Sequence, residues 1–141
     1  MEMEISDGAG DALAVAVEEA ALVVRELSWH RITVAAQAVS RGAALLDAKR
    51  PGWVSEIQWS ALELEDPLYC ILGQLYGDYV DGFSALRNSG PADLTESQFA
   101  QLYGFSAAPP WETELEAAWL ALAVKRLGVP LDQLLGSRLQ D

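Results

Sequence analysis

The sequence has one cysteine, one histidine and two lysines, and each scarcity removes a class of function. Cys70 has no partner in the chain for a disulfide, and no zinc site can be built from cysteine pairs. With His30 as the single histidine, one chain cannot form a multi-histidine metal site. Neither Lys49 nor Lys125 belongs to a glycine-rich phosphate loop, so we expect no nucleotide and no metal or other cofactor.

Long apolar segments are also missing. A membrane-spanning helix needs roughly 18 consecutive apolar residues. The nearest candidate, residues 10–24, is interrupted by Asp11, Glu18 and Glu19. Residues 1–7 are acidic and lack the basic start of a signal peptide. We therefore expect no membrane association and a reducing, cytoplasmic setting.

Acidic residues set the character of the surface, because the net charge is −12. Residues 61–119 hold ten acidic residues against Arg87 alone, which gives −9, whereas residues 29–60 carry two acidic and four basic residues, which gives +2. Phosphate backbones are repelled by such blocks, so direct nucleic-acid binding is not expected. Acidity favours solubility in general. It also suits a partner protein with a basic surface.

The pattern predicts a mainly α protein, a compact helical bundle forming a single domain over residues 1–141, with a loose start at residues 1–10. Asp11 and Asp66 are predicted N-caps, and Thr95 begins a capping box. Helices are predicted over residues 11–27, 32–49, 67–77, 95–103, 111–127 and 131–139. Residues 54–64 partly alternate between apolar and polar, which leaves a small strand or hairpin there as an open alternative.

No catalytic residue is predicted, and we expect no enzyme. A nucleophile and base would have to combine Cys70 or a serine with His30. Cys70 lies in an apolar register, which is typical of a buried structural thiol. Residues 78–82 superficially suggest a calcium loop, but the acidic positions and the distal glutamate that such a loop needs are missing. Paired carboxylates such as those of Glu63 and Glu65 are not distinguished from ordinary surface acids.

Tyrosines interleaved with acidic residues mark a candidate binding surface. Exposed tyrosines can form a binding hot spot, although they can equally cover the core and present only their hydroxyl groups to solvent. The candidate partner-binding residues are Glu63, Glu65, Asp66, Tyr76, Asp78, Tyr79 and Asp81.

A dense motif at residues 70–77, Cys-Ile-Leu-Gly-Gln-Leu-Tyr-Gly, carries a resemblance. Together with residues 42–47, 51–53, 57, 62–64 and 115–119, it is similar to a pattern in an uncharacterised family of small phage and prophage proteins of Gram-positive bacteria. The resemblance covers roughly residues 40–83 and 115–126. It implies an origin in a mobile element and a setting in the bacterial cytoplasm. Family members often carry a second cysteine shortly before the one that matches Cys70, and residues 66–69 supply none here.

These observations lead to two hypotheses. The first is a non-enzymatic interaction module that binds and modulates a host protein with a basic surface, for example as an inhibitor of a defence or nucleic-acid-handling factor. The second is a self-associating scaffold protein, a homodimer built from the first helix and the small-residue face of the second, which includes Ala35, Ala38 and Gly42.

Overall fold

The structure is a computed structural model that describes residues 8–106 and 112–136, with side chains from Trp29 onward. The described ranges contain α-helices, short 3-10 helices and turns, so the predicted mainly α class is confirmed. The α-helices are α1 (Gly8–Lys49), α2 (Ile71–Tyr76), α3 (Tyr79–Leu86), α4 (Glu96–Leu102), α5 (Glu112–Leu127) and α6 (Leu131–Leu135). The 3-10 helices cover Trp53–Glu56, Trp59–Ala61 and Arg87–Ser89.

The chain divides into two compact units, residues 1–33 and residues 34–141. In the first unit the hydroxyl group of Thr33 donates to the carbonyl of Trp29 at 2.9 Å, a bond within one helical turn. The second unit holds all elements from the C-terminal part of α1 onward. A single domain over residues 1–141 stays a prediction. Of the predicted loose start, residues 8–10 are helical and residues 1–7 lie outside the described residues.

The structure has one helix, α1, where two were predicted at residues 11–27 and 32–49. The predicted break at residues 28–31 is wrong, because Ser-Trp-His-Arg contains neither proline nor glycine and leaves the backbone hydrogen bonds of a helix intact. The predicted end at Lys49 is confirmed. Among the residues that the structure describes, no helix is both long and apolar enough to cross a membrane.

The strand or hairpin considered for residues 54–64 is also wrong. Trp53–Glu56 and Trp59–Ala61 form 3-10 helices, and residues 8–106 and 112–136 contain no strand. The alternation that favoured a strand is nevertheless present, because Leu62 and Leu64 are buried and the residues that follow each of them are not. The two 3-10 helices and the turn closed by the hydrogen bond from the Asp66 N–H to the Glu63 carbonyl interrupt the segment, so no strand forms.

Aromatic rings run through the core of the second unit and centre on Trp119. Its ring meets Trp53 edge-on with centroids 5.7 Å apart and stacks on Phe105 at 5.9 Å. The indole N–H donates to the buried carbonyl of Gly104 at 2.6 Å. Further ring contacts continue this network through Trp59, Phe83, Tyr79, Phe99 and Tyr103. The network joins α5 to the 3-10 helices and to α4.

Local capping chemistry defines α4 as predicted. The backbone N–H of Gln98 donates to the hydroxyl group of Thr95 at 3.1 Å, and the Gln98 amide oxygen accepts from the Thr95 N–H at 2.9 Å. This reciprocal pair is a capping box. Gly104 follows the helix with φ of 74°, in the left-handed region that favours glycine.

Candidate functional site

An acidic cleft of about 520 Å³ is formed by the turn that precedes α2 and the first turn of α5. Its carboxylates belong to Glu63, Glu65, Asp66, Glu112 and Glu116, and Leu64, Pro67 and Thr113 complete the lining. Clefts of about 300–1,000 Å³ accommodate ligands of drug-like size. The acidic cleft can therefore receive one long side chain, or a few neighbouring ones, from a partner.

Hydrogen bonds to Asp66 stabilise the turn before α2, which forms one side of the cleft. Its carboxylate accepts from the N–H of Leu68 at 2.8 Å and from that of Tyr69 at 3.3 Å, while its carbonyl accepts from the Cys70 N–H at 2.9 Å. An aspartate that bonds to the backbone just after it forms a turn. The expectation that Asp66 caps a helix beginning at Pro67 is wrong, since α2 begins at Ile71.

Burial of neighbouring apolar residues explains why the other cleft carboxylates are accessible. Leu64 is buried, whereas Glu63 and Glu65 are exposed in a turn in which the Asp66 N–H donates to the Glu63 carbonyl at 3.2 Å. On α5, Glu112 and Glu116 lie one turn apart and share a face, and both stay partly exposed.

The glutamine of the predicted motif ties the turn before α2 to the rest of the unit. The side-chain N–H₂ of Gln74 donates to the carbonyls of Tyr69 at 2.9 Å and Gln58 at 3.3 Å. Its amide oxygen accepts from the Gln58 N–H at 2.7 Å. One side chain thus satisfies three backbone groups from two loops, and it fixes the segment that carries Glu63, Glu65 and Asp66.

The cysteine and glycines of the motif also have structural roles. The Cys70 sulfur caps α2 by accepting from the Gly73 N–H at 3.3 Å, and its burial, which was predicted, is confirmed. Burial raises the pKa of the Cys70 thiol, which disfavours the reactive thiolate. A Cβ at Gly73 would collide with the backbone of Pro67 and Leu68, so only glycine allows this close approach.

The cleft concentrates negative charge, because five of the residues that line it are acidic and none is basic. A hydrogen bond with Glu65 raises the pKa of Glu112, and burial and the Glu65 charge act in the same direction. Two carboxyl groups can share a hydrogen bond only when one of them is protonated. Within the described part of the chain, no basic side chain forms an ion pair with Glu63, Glu65, Asp66 or Glu112. The described residues also include no group of three side chains arranged to hold a metal ion.

The other candidate residues do not line the cleft, and they make contacts of their own. The Asp78 carboxylate accepts from the Asp81 N–H at 2.8 Å and caps α3. The ring of Tyr79 stacks on Phe83 with centroids 6.4 Å apart, and burial raises the pKa of Tyr79 to about 12. Partner binding by Tyr76, Asp78, Tyr79 and Asp81 stays a prediction.

The tyrosine next to the cleft carboxylates is Tyr69, which was not among the candidates. It is 47% exposed, and the neighbouring Leu68 is 55% exposed. By contrast, Tyr76 is half-buried beneath Arg50, whose guanidinium carbon is 4.9 Å from the ring centroid. Arg50 also pairs with Glu56 at 2.9 Å, so the surroundings of Tyr76 include a basic group.

Sequence reasoning missed Glu112 and Glu116 as members of the site. Acidic residues commonly occur near the N-terminus of a helix, where they favour the helix without any ligand, so Glu112 and Glu116 were not selected as candidates. Glu112 and Glu116 are four residues apart in the −9 block, which places them on one helix face. This spacing was the one feature of the sequence that indicated a shared acidic surface. Their proximity to Glu65 depends on tertiary packing, which no local pattern reveals.

Comparison with known proteins adds no relative. No family model matches the chain, and no curated protein or solved structure matches it. The resemblance to phage and prophage proteins through residues 70–77 therefore stays a prediction. The contacts of Cys70, Gly73 and Gln74 give that motif a structural role in supporting the acidic cleft.

Proposed function

We propose that the protein is a non-enzymatic interaction module that binds a basic segment of a host protein in the acidic cleft. The observation that carries the proposal is that Glu63, Glu65, Asp66 and Glu112 line one cleft, which has no basic residue in its lining, and form no ion pair with a described basic side chain. Self-repulsion of these carboxylates costs free energy in the unbound protein. A lysine or arginine side chain of a partner relieves that repulsion on binding.

The raised pKa of Glu112 supports the same proposal, because a hydrogen bond with Glu65 and the Glu65 charge both favour the protonated form. A guanidinium or ammonium group entering the cleft can donate hydrogen bonds to both carboxylates. Binding is therefore expected to weaken as falling pH protonates Glu112.

Two exposed side chains with apolar surface, those of Leu68 and Tyr69, adjoin the charged residues and can anchor a partner. Leu68 and Tyr69 directly follow Pro67, which lines the cleft, and both side chains are about half exposed. Interfaces commonly combine a tyrosine anchor with surrounding charge complementarity. The partner segment we propose therefore carries basic residues next to an apolar one.

We also propose, on the resemblance at residues 70–77, that the chain comes from a phage or prophage and acts in the cytoplasm of a bacterial host. Modulation of a host factor, including inhibition of a defence or nucleic-acid-handling protein, follows from such an origin. The acidic cleft would compete for a surface that otherwise meets nucleic acid, and it would not bind nucleic acid itself.

Two matched variants test the acidic cleft. E63Q/E65Q/E112Q removes three cleft carboxylates, whereas D93N/E96Q/D132N removes three exposed carboxylates that do not line it. Both change the net charge equally, so general electrostatic attraction changes by the same amount. Binding of a labelled lysine- and arginine-rich peptide and of an acidic control peptide is followed by fluorescence anisotropy at increasing salt.

We expect the basic peptide to bind the unmodified protein and the control variant alike, and to bind the cleft variant at least about tenfold more weakly, as for loss of charge-assisted bonds. Added salt should reduce the affinity. Equal weakening in both variants would show attraction to overall charge alone and contradict a specific site. An affinity that is independent of salt would contradict an electrostatic interface. Affinity capture from bacterial lysate with the same two variants then identifies the partner.

Self-association is the second candidate, and one observation favours it. Trp29 and Ile32 are three residues apart on α1 and are 70% and 47% exposed. Exposed large apolar side chains on one helix face commonly mark contact surfaces. The small-residue face predicted for a dimer is instead buried within the second unit at Ala35, Ala38 and Gly42. Light scattering of W29S/I32S beside the unmodified protein tests self-association, since a monomeric unmodified protein contradicts it.

A further inference from the structure

A second, smaller pocket of about 140 Å³ lies between α3 and α4. Phe83, Phe99 and Leu94 contribute apolar side chains to a lining that also offers polar groups, and the rings of the two phenylalanines meet edge-on with centroids 5.4 Å apart. The loop between the helices completes the lining with Arg87, Asn88, Gly90, Pro91 and Ala92. We call this cavity the Arg87 pocket, because Arg87 is its one charged residue.

Arg87 differs in its contacts from the other arginines that the structure describes in the second unit. Arg41 donates to the Leu102 carbonyl at 2.7 Å, and Arg50 and Arg126 each donate to a carboxylate. The Arg87 guanidinium carbon lies 5.5 Å from the centroid of the Phe83 ring. Across the described ranges Arg87 has no carboxylate partner and donates no side-chain hydrogen bond.

The acidic residues on either side of Arg87 in the sequence make its lack of a described carboxylate partner unusual. Arg87 is the single basic residue of residues 61–119, where ten acidic residues occur. Asp93 and Glu96 are near it in sequence, yet neither forms an ion pair with it. Its guanidinium donors thus remain available beside a cavity that has apolar side chains in part of its lining, an arrangement that can recognise a carboxylate attached to an apolar body.

We propose that the Arg87 pocket binds a small monocarboxylic acid with an aromatic or branched aliphatic body. The carboxylate pairs with the Arg87 guanidinium, and the apolar body occupies the space against Phe83, Phe99 and Leu94. The pocket is smaller than the roughly 300–1,000 Å³ of sites for drug-sized ligands, which limits the occupant to a small molecule.

Charge and solvation further restrict the chemical class of ligand that the pocket can bind. An inorganic phosphate would lose part of its hydration on entering the pocket, and the residues that line it offer no second cation to compensate. Ligands with several negative charges are repelled more strongly by the net charge of −12. A single carboxylate suffers least from this repulsion, and burial of its apolar body contributes the remaining affinity.

A structural role for Arg87 makes a different prediction. Arginine near the C-terminus of α3 interacts favourably with the helix dipole and with the Phe83 ring, and neither interaction needs a ligand. If these were its only functions, the pocket would not distinguish an acid from the corresponding amide. The comparison of a charged with an uncharged probe therefore separates the two roles.

The experiment titrates phenylacetate, isovalerate and the neutral probe phenylacetamide into ¹⁵N-labelled protein and follows amide shifts by NMR. The variant R87Q removes the cation, and K125Q is the matched control, because Lys125 is exposed on α5 and does not line the pocket. Circular dichroism checks that each variant keeps its fold. Inorganic phosphate serves as the anion without an apolar body.

We expect at least one of the two acids to shift amides within residues 83–99, with phenylacetamide and phosphate binding at least about tenfold more weakly. The affinity of R87Q for the acid should be about tenfold lower than that of the unmodified protein. K125Q should bind the acid as the unmodified protein does. Shifts confined to other residues, equal affinity for acid and amide, undiminished binding by R87Q, or no binding of either acid would overturn the proposal.

Discussion

Arg126 donates two hydrogen bonds to the carboxylate of Asp47, at 2.7 and 2.9 Å, across 79 positions of the chain. The indole N–H of Trp53 donates to the same carboxylate at 2.9 Å. The Arg126 guanidinium carbon also lies 5.9 Å from the centroid of the Trp53 ring. The three side chains thereby join the C-terminal end of α1, the first 3-10 helix and α5, which supplies one side of the acidic cleft.

Replacing Asp47 by asparagine should destabilise the protein by about 1 kcal/mol at neutral pH, since partly exposed ion pairs contribute little even with good geometry. Hydrogen bonding to Arg126 lowers the pKa of Asp47 below its usual 3.8. In that case the folded state binds fewer protons than the unfolded state, so the contribution is present above about pH 4 and is lost as pH falls through the folded pKa. Urea unfolding of D47N and unmodified protein at about pH 7 and pH 3 measures both differences.

The gap in stability between the two proteins should narrow at the lower pH. A gap of the same size at both values would mean that Asp47 acts through its packing and not through its charge. Lys49→Gln, which alters an exposed charge on the same turn of α1 without a partner in the described residues, provides the control and should leave stability within about 0.5 kcal/mol.

Gln74 should be among the most sensitive polar residues of the second unit. Q74A removes hydrogen bonds to the carbonyls of Tyr69 and Gln58 and to the Gln58 N–H, and we expect a loss of about 1–3 kcal/mol. Q74E should cost at least as much, because a carboxylate brought against two carbonyl oxygens cannot donate to them. Q101A, at an exposed position of α4, is the control for loss of a glutamine side chain. Thermal unfolding of the three variants provides the comparison, and equal melting temperatures for Q74A and Q101A would contradict the role of Gln74.

Local chemistry and tertiary packing differ sharply in how far they were predictable. The capping box at Thr95 and the charge distribution of α5 depend on residues a few positions apart, so those helices were predicted almost to the residue. The alternation at Leu62 and Leu64 is equally local, but it does not reveal whether a neighbouring strand exists. It therefore left open a strand at residues 54–64, where the structure has 3-10 helices and turns.

In the acidic cleft, too, the residues that are close in sequence were predicted and those brought in by tertiary packing were not. Glu63, Glu65 and Asp66 were selected because they are adjacent in an acidic block, and they do share one segment of the cleft. Glu112 and Glu116 are added by the packing of α5 against the first 3-10 helix, which depends on contacts such as that between Trp119 and Trp53. Such contacts leave no periodic trace in the sequence.

Tyr79 should be a source of alkaline instability. Burial raises its pKa to about 12, and the negative charge of Glu96 adds to the effect. The unfolded state releases its proton near pH 10, whereas the folded state retains it to about pH 12, so stability falls as pH rises through this interval. Y79F removes the titrating hydroxyl group and should reduce the loss of stability between about pH 9 and pH 11.5. Y69F, which alters a more exposed tyrosine, should leave that loss unchanged. Urea unfolding at the two pH values measures it, and the same loss in Y79F as in the unmodified protein would contradict the assignment.

Gly42 provides a test in which the sign of the effect is informative. In an exposed helix interior, glycine to alanine stabilises by about 1 kcal/mol, because alanine has the higher helix propensity. At Gly42 a Cβ would collide with the Tyr103 carbonyl and lie 3.1 Å from the ring of Trp119. Overpacking of this kind costs about 1–3 kcal/mol, so G42A should destabilise despite its propensity. A44G, at an exposed position of the same helix, should cost about 1 kcal/mol from propensity alone. If urea unfolding shows G42A to be more stable than the unmodified protein, α1 does not approach Tyr103 this closely, and the packing that orders the second unit around Trp119 would need revision.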